Sequence, residues 1–248
     1  MIIKETFATA FRNHQRNNFK KAENLYKKIL KIDPNHLESI FLLGSLSVQT
    51  KSFDRAIQLF NKVIAIHPNH VNAYHNLGFV FTELGEYQKA ITYCQKAIEI
   101  QPNYAEAHFN LGNVFKQLGE FQKAKNSYQK AIQIQPNNVN AHNNLGNVFK
   151  QLGEYQKAIN AYKKTIEIQP NHQKAHFNLG NVFKQLGEFK KAKNSYQKAL
   201  HYEPDNLETL YNLSDLDKIF LNSNARNQIN KIMKRENLTK KNIAYGNF

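Results

Sequence analysis

The sequence repeats itself every 34 residues. The stretch from Ala107 to Ala131, AHFNLGNVFKQLGEFQKAKNSYQKA, returns at Ala175 to Ala199 with a single change, Gln122 to Lys190. Self-similarity at such a period is typical of repeat arrays, in which each unit packs mainly against its neighbours. The sequence therefore predicts a stack of short units and not one globular core. All six prolines keep the same interval: they are Pro34, Pro68, Pro102, Pro136, Pro170 and Pro204.

The first half of each repeat has the apolar period of a helix. In the fourth repeat, Leu111, Phe115 and Leu118 recur at three- and four-residue steps and share one helix face. This pattern predicts a helix over about residues 105–118. Gly119 follows as the expected end of that helix, because glycine adopts the left-handed conformation without a steric cost.

The second half of each repeat predicts another helix. In the fourth repeat it covers about residues 121–134, with Ala124, Tyr128 and Ala131 on its inner face. Pro136 then stops it, because proline cannot continue the helical hydrogen bonding. An Asn or Asp follows each proline and is expected to cap the next helix, since its side chain accepts from free backbone N–H groups. These residues are Asn35, Asn69, Asn103, Asn137, Asn171 and Asp205.

The alignment of the copies divides most of the chain into six repeats. They span residues 3–36, 37–70, 71–104, 105–138, 139–172 and 173–206. Residues 207–237 keep a weaker pattern, which predicts a divergent seventh repeat or capping helices, because terminal repeats are usually atypical. Residues 238–248 predict a tail that begins a further helix in a longer chain.

A glycine recurs in the middle of the predicted first helix from the second repeat onward. Glycine in a helix costs about 1 kcal/mol relative to alanine. Close approach of the second helix is the expected compensation. The five positions are Gly44, Gly78, Gly112, Gly146 and Gly180.

The composition limits the functional classes. The net charge is +15, from 34 Lys and Arg against 19 Asp and Glu. Such a surplus favours nucleic acid, an anionic membrane or an acidic protein as a partner, although a general compositional bias explains it equally well. The sequence has no apolar run near the ~20 residues of a membrane span and no signal-peptide core. The lone cysteine, Cys94, excludes an internal disulfide and fits a reducing compartment. These features predict a cytoplasmic location.

Together these residues resemble the tetratricopeptide repeat. The resemblance covers about residues 3–206 and is weakest in the first repeat, where Thr9 and Ala10 replace the Leu-Gly pair. It implies an all-α, right-handed solenoid of helix-turn-helix repeats, in which the first helices line a concave groove. It says almost nothing about biochemical role. The matching positions in the fourth repeat are Leu111, Gly112, Phe115, Ala124, Tyr128, Ala131 and Pro136.

A second stripe of the first helices carries asparagines, at three- and four-residue steps from one another. One ladder comprises Asn76, Asn110, Asn144, Asn178 and Asn212, and the other comprises Asn113, Asn147 and Asn181. A carboxamide both donates and accepts hydrogen bonds, so a row of them can hold the backbone of an extended peptide. This arrangement is similar to the asparagine ladder of the O-linked N-acetylglucosamine transferase superhelix. Alternatively, the asparagines bond to neighbouring helices or reflect the composition.

A lysine row runs beside the second asparagine ladder, at Lys116, Lys150 and Lys184. Two interpretations of this row stay open. If it faces the groove, it favours an acidic or phosphorylated ligand through charge-assisted contacts. If it lies at the rim, it pairs with glutamates of the turns, and such surface pairs contribute little. Those glutamates are Glu86, Glu120, Glu154 and Glu188.

The sequence offers no catalytic or metal-binding constellation. His108, His142 and His176 recur at one repeat position, so they should lie roughly 10 Å apart on successive helices. That separation is too large for shared ligation at ~2 Å Zn–N bonds. Cys94 takes the place of Tyr128 and is expected to be a core residue. We therefore expect no enzyme activity, no cofactor and no metal.

Some tetratricopeptide domains grip a C-terminal carboxylate with a lysine on the first helix. None of the corresponding residues here is lysine, so this type of binding is not expected. Their aromatic rings either give apolar contacts along the groove or serve packing, and packing is favoured for most of them. The corresponding residues are Phe7, Phe41, His75, Phe109, Asn143, Phe177 and Tyr211.

The sequence thus predicts a non-catalytic scaffold that binds an extended protein or peptide segment. An alternative hypothesis is the N-terminal recruiting arm of a larger glycosyltransferase or sulfotransferase, because similar arrays precede such domains. RNA binding is a third hypothesis. It is disfavoured because sequence-reading repeats vary the side chains aimed at bases, whereas this groove is nearly uniform.

Overall fold

The computed structural model describes residues 2–216, which form thirteen α-helices and no strand. The all-α helical-repeat solenoid class predicted from the sequence is confirmed. The remainder of the predicted seventh repeat and the tail at 238–248 lie outside the described residues. The helices are α1 (Ile2–Gln15), α2 (Phe19–Ile32), α3 (Leu37–Gln49), α4 (Phe53–Ile66), α5 (Val71–Glu83), α6 (Tyr87–Ile100), α7 (Ala105–Gln117), α8 (Phe121–Ile134), α9 (Val139–Gln151), α10 (Tyr155–Ile168), α11 (Gln173–Gln185), α12 (Phe189–Tyr202) and α13 (Leu207–Leu216).

The helices belong to two compact units, Met1–Gln135 with α1 to α8 and Pro136–Phe248 with α9 to α13. Within each unit, the first helix of a pair packs against the second, and the second packs against the first helix of the next pair. First helices also touch directly, α5 with α7 and α9 with α11. No helix within residues 2–216 combines the length and the apolar character needed to cross a bilayer.

The helix ends of the fourth repeat follow the sequence prediction closely. Helix α8 has the predicted bounds, and α7 ends one residue early. Gly119 has φ +74°, the left-handed conformation that was expected. The prediction for Leu118 is wrong: its side chain is 42% exposed, whereas Leu111 and Phe115 are buried. The reason is that Leu118 is already the cap of α7, where the chain turns away from the core.

The predicted helix N-caps are wrong by one residue. The proline and the residue after it form a turn, in which the N–H of His36 donates to the carbonyl of Asp33 over 3.2 Å. The cap is therefore the next residue along the chain. His172 Nδ1 accepts from the N–H of Ala175 at 3.1 Å. The other side chains that cap in this way are His36, His70, Asn138 and Asn206.

The helical glycines admit the aromatic side chains of the second helices, as expected. A Cβ on Gly146 would lie 2.6 Å from Cε1 of Tyr162, which is closer than carbon atoms approach. Gly112 has the same relation to Tyr128 at 2.7 Å. In the third repeat Cys94 occupies this core position, and burial raises the pKa of its thiol to about 12. The prediction that Cys94 is a core residue is confirmed.

Candidate functional site

A groove of about 800 Å³ lies on the C-terminal unit. It brings together three members of the two asparagine ladders, Asn144 and Asn147 from α9 and Asn178 from α11. Nine of its fourteen lining residues carry a carboxamide, so both donors and acceptors face the same space. The predicted Asn181, Asn212, Lys150 and Lys184 do not line this groove.

The second asparagine ladder is attached to the core. The hydroxyls of Tyr128, Tyr162 and Tyr196 donate to the Oδ1 atoms of Asn113, Asn147 and Asn181, each over 2.7 Å. Burial raises the pKa of the Tyr162 and Tyr196 hydroxyls, which keeps them protonated as donors. In these three repeats a buried tyrosine of the second helix therefore fixes the carboxamide of the first helix in one orientation.

One asparagine pair also connects neighbouring first helices. Asn178 Nδ2 donates to Asn147 Oδ1 over 3.1 Å, so this oxygen accepts two hydrogen bonds. The alternative that the asparagines bond to neighbouring helices therefore applies to this pair. Asn212 Nδ2 instead donates to the carbonyl of Glu208 within its own helix, over 2.8 Å.

The lysine row does not pair with the turn glutamates. Lys184 Nζ lies 2.6 Å from Asp215 Oδ2 and so has its charge neutralised within the protein. Lys116 and Lys150 are partly buried. Each turn glutamate instead pairs with the lysine three residues later. These pairs are Glu86 with Lys89, Glu120 with Lys123, Glu154 with Lys157 and Glu188 with Lys191.

A smaller cavity of about 140 Å³ lies in the N-terminal unit. Its walls include Asn110, Asn113 and Lys116 from α7 and Phe79 and Glu83 from α5. Desolvation by burial lowers the pKa of Lys116. Three of the predicted residues thus line one cavity. Asn76 does not line it. Its Oδ1 atom lies 3.2 Å from Nδ1 of His75.

Asn143 and Phe177 belong to the row for which the sequence favoured a packing role, and both also line the large groove. Phe177 packs against Tyr196, with ring centroids 5.8 Å apart, and also lines the large groove. Asn143 stands where Phe109 and Phe177 stand in their repeats, and it is buried. Its Oδ1 atom accepts no hydrogen bond from residues 2–216. The signal in the sequence was a single amide in a row of mostly aromatic residues.

The recurrent histidines support the turns. His142 Nε2 donates to the carbonyl of Pro136 over 2.8 Å, and His108 and His176 make the same bond to Pro102 and Pro170 at 2.9 Å. No group of three or more His, Cys, Asp or Glu within residues 2–216 is arranged to hold a metal ion. The row therefore has a structural role.

The comparisons with known proteins identify the family. Models of the TPR repeat match residues 80–119, 112–153 and 146–187, and a tetratricopeptide repeat model matches residues 174–206. A model of the anaphase-promoting complex, cyclosome, subunit 3 matches residues 15–97. The crystal structure of MamA protein is 30% identical, over 69% of this chain and 94% of that chain, with a TM-score of 0.61. The chain is a tetratricopeptide-repeat protein.

Other tetratricopeptide-repeat structures share the fold at lower identity. YrrB, described as a TPR protein with an unusual peptide-binding site, is 20% identical over 75% of this chain and 96% of that chain, with a TM-score of 0.62. PilF of Pseudomonas aeruginosa is 18% identical over 84% of this chain and 96% of that chain, with a TM-score of 0.73. No curated protein sequence gives a significant match.

Proposed function

We propose that this tetratricopeptide-repeat protein is a non-catalytic interaction scaffold that binds an extended peptide segment of another protein. The observation that carries the proposal is the amide-lined groove of the C-terminal unit, about 800 Å³ in volume. An extended peptide presents alternating N–H and C=O groups, and a carboxamide complements either of them. Asn144 and Asn178 are the residues proposed to hold the peptide backbone.

Hydrogen bonds within the protein hold the amide side chains of the groove in place before a peptide binds. Asn178 is bonded to Asn147, and Asn147 is bonded to the buried Tyr162. Side chains held in one orientation before binding lose less conformational entropy when the ligand arrives. Phe177 adds an apolar surface at the same groove. In this groove the proposed peptide contacts are Asn144, Asn147 and Asn178. The other residues singled out from the sequence stay predictions; they are Asn76, Asn110, Asn113, Asn181, Asn212, Lys116, Lys150 and Lys184.

Of the three lysines in the row, only Lys116 is proposed to contact an acidic ligand. Lys184 is paired with Asp215, and the large groove is lined by Glu203 and Glu208 against the single Lys174. The charges of the C-terminal unit therefore do not favour an anionic peptide. Lys116 stays the best candidate for contact with an acidic group, because desolvation already disfavours its charge in the unbound state.

The proposed scaffold is non-catalytic: no serine, threonine or cysteine is among the residues that line the groove. The buried thiol of Cys94 is held in the neutral form. YrrB provides a precedent for a peptide site on this fold. A cytoplasmic location stays a prediction from the composition.

The test uses a randomised library of extended peptides and calorimetry with the peptides it selects. Asn144→Ala combined with Asn178→Ala should weaken binding by about tenfold or more, since each lost bond to a peptide backbone costs roughly 0.5–1.5 kcal/mol. The matched control is Asn160→Ala with Asn194→Ala, two exposed asparagines on the second helices of the same repeats. Failure of the library to yield any binder, or equal binding by both double variants, would reject the groove as the peptide site.

A further inference from the structure

The third repeat departs from the asparagine and tyrosine pattern of the later repeats. In the fourth, fifth and sixth repeats an asparagine on the first helix accepts from a tyrosine on the second. The third repeat has Phe79 at the asparagine position and Cys94 at the tyrosine position. Both partners are replaced in the third repeat, so this hydrogen bond cannot form there. Phe79 is 37% exposed and so presents a ring at the surface of α5.

This departure removes the acceptor for a buried amide in the next repeat. Asn178 Nδ2 donates to Asn147, which lies 31 residues earlier in the preceding repeat. For Asn110 the residue at that spacing is Phe79, which has no acceptor. Asn110 is only 8% exposed, and its Nδ2 atom makes no hydrogen bond with any of residues 2–216. A buried donor without an acceptor is costly, so Asn110 would gain from an acceptor supplied by a ligand.

The cavity beside Asn110 also contains a lysine, Lys116. Lys116 is partly buried in the wall of the 140 Å³ cavity. No carboxylate among residues 2–216 forms an ion pair with it. Burial lowers the pKa of Lys116, and desolvation is the cause. An ammonium group that has lost part of its hydration is stabilised strongly by an anion placed beside it.

We propose that this cavity is a specificity subsite for the carboxylate side chain of an aspartate or glutamate in a bound peptide. The carboxylate accepts from Lys116 Nζ and from Asn110 Nδ2, and the ring of Phe79 packs against its methylene carbons. The volume fits: at ~30 Å³ for each water of the liquid, the cavity of about 140 Å³ equals about five waters, which suits a carboxylate side chain. The subsite rests on the proposed function, because it recognises one side chain of a bound peptide.

One residue of the cavity opposes an anion. Glu83 also lines it, on α5, and is exposed. Its carboxylate repels a ligand carboxylate, although solvent screens the interaction. The preference of the cavity for an acidic over a neutral side chain therefore depends on attraction to Lys116 and repulsion by Glu83. Glu83→Gln should tighten binding of an acidic side chain by about two- to threefold, and this effect should disappear at high salt.

The test uses two small probes, N-acetyl-glutamate amide and N-acetyl-glutamine amide, titrated into the isotope-labelled protein. We expect the side-chain amide signals of Asn110 and Asn113 to shift with the glutamate probe and not with the glutamine probe. Lys116→Gln should weaken the glutamate probe by about tenfold, the scale of one charge-assisted hydrogen bond. The matched control is Lys184→Gln, at the same repeat position but already paired with Asp215, which should bind as the wild type does.

A second variant tests the origin of the subsite without removing its charge. Phe79→Asn gives Asn110 the acceptor that Asn178 has, and should therefore weaken the glutamate probe although Lys116 is retained. Equal response to both probes, or undiminished binding by Lys116→Gln, would overturn the subsite. These probes are too short to span the amide groove of the C-terminal unit. A negative result with these probes would therefore reject the subsite alone. The peptide groove is tested separately by its asparagine variants.

Discussion

The hydroxyl of Tyr162 donates to Oδ1 of Asn147 across 2.7 Å and connects the core of a repeat to its groove. Tyr162 is fully buried on α10, whereas Asn147 lines the groove on α9. A single hydrogen bond thus makes the orientation of a groove amide depend on the packing of the second helix. The equivalent hydrogen bonds in the neighbouring repeats, from Tyr128 to Asn113 and from Tyr196 to Asn181, have the same length.

Removal of that hydroxyl should affect both stability and binding. Tyr162→Phe keeps the ring but leaves Asn147 with only the bond from Asn178. We expect the free energy of unfolding to fall by about 1 kcal/mol and the affinity for a library-selected peptide to fall by about threefold. Urea unfolding and calorimetry measure the two effects. Tyr26→Phe is the control, because its hydroxyl faces His14 and no asparagine. Unchanged peptide affinity in Tyr162→Phe would show that Asn147 needs no support from the core.

The histidine caps should make the stability depend on pH. His172 Nδ1 accepts from the N–H of Ala175, and only the neutral ring has the lone pair to do so. Desolvation by burial holds the pKa of His172 below 6.5, with a smaller effect from Lys174. The unfolded chain therefore binds the proton more tightly than the folded chain. The stability from the cap is complete above about pH 6.5, and it is lost as the pH falls through the lower pKa of the folded state.

The variant His172→Asn tests this pH dependence. Asn138 caps α9 through its Oδ1 atom at 2.9 Å, so an asparagine is already accepted at this position of a repeat. The free energies of unfolding from urea titrations at pH 7.5 and 5.5 should differ less in the variant than in the wild type, by about 1 kcal/mol for one cap. An identical loss of stability in both proteins would assign the pH dependence to other groups, such as His70, whose pKa burial also lowers.

The buried Asn143 should be replaceable by phenylalanine with a gain in stability. Its Oδ1 atom lacks a donor among residues 2–216, and a buried unsatisfied acceptor costs free energy. In the fourth repeat, Phe109 occupies this position and packs on Tyr128 with ring centroids 5.8 Å apart. We expect Asn143→Phe to raise the free energy of unfolding by about 1 kcal/mol. Asn143→Leu serves as the control for loss of the amide alone. A lower urea midpoint for both variants would indicate that Asn143 is satisfied in solution.

The sequence by itself determined the repeat, the helices and the close contacts between them. The 34-residue period and the 3.6-residue apolar pattern are local, and they place α8 at its observed bounds. The glycine in the first helices of the second to sixth repeats also predicted a close neighbour, which Gly146 and Tyr162 confirm. These features follow from backbone geometry and from the burial of one helix face. The spacing of glycine, proline and apolar residues along the chain specifies both.

Only the tertiary structure decided which polar atoms meet. The cap is His172 and not Asn171, because the residue after Pro170 is part of the proline turn. The pairing of Lys184 with Asp215 and the bond from Tyr162 to Asn147 join different helices. Hydrogen bonds require distances near 3 Å and the correct direction, whereas a periodic pattern specifies only a helix face. The sequence therefore placed the asparagine stripe, and the packing decided which of its atoms bond to neighbours.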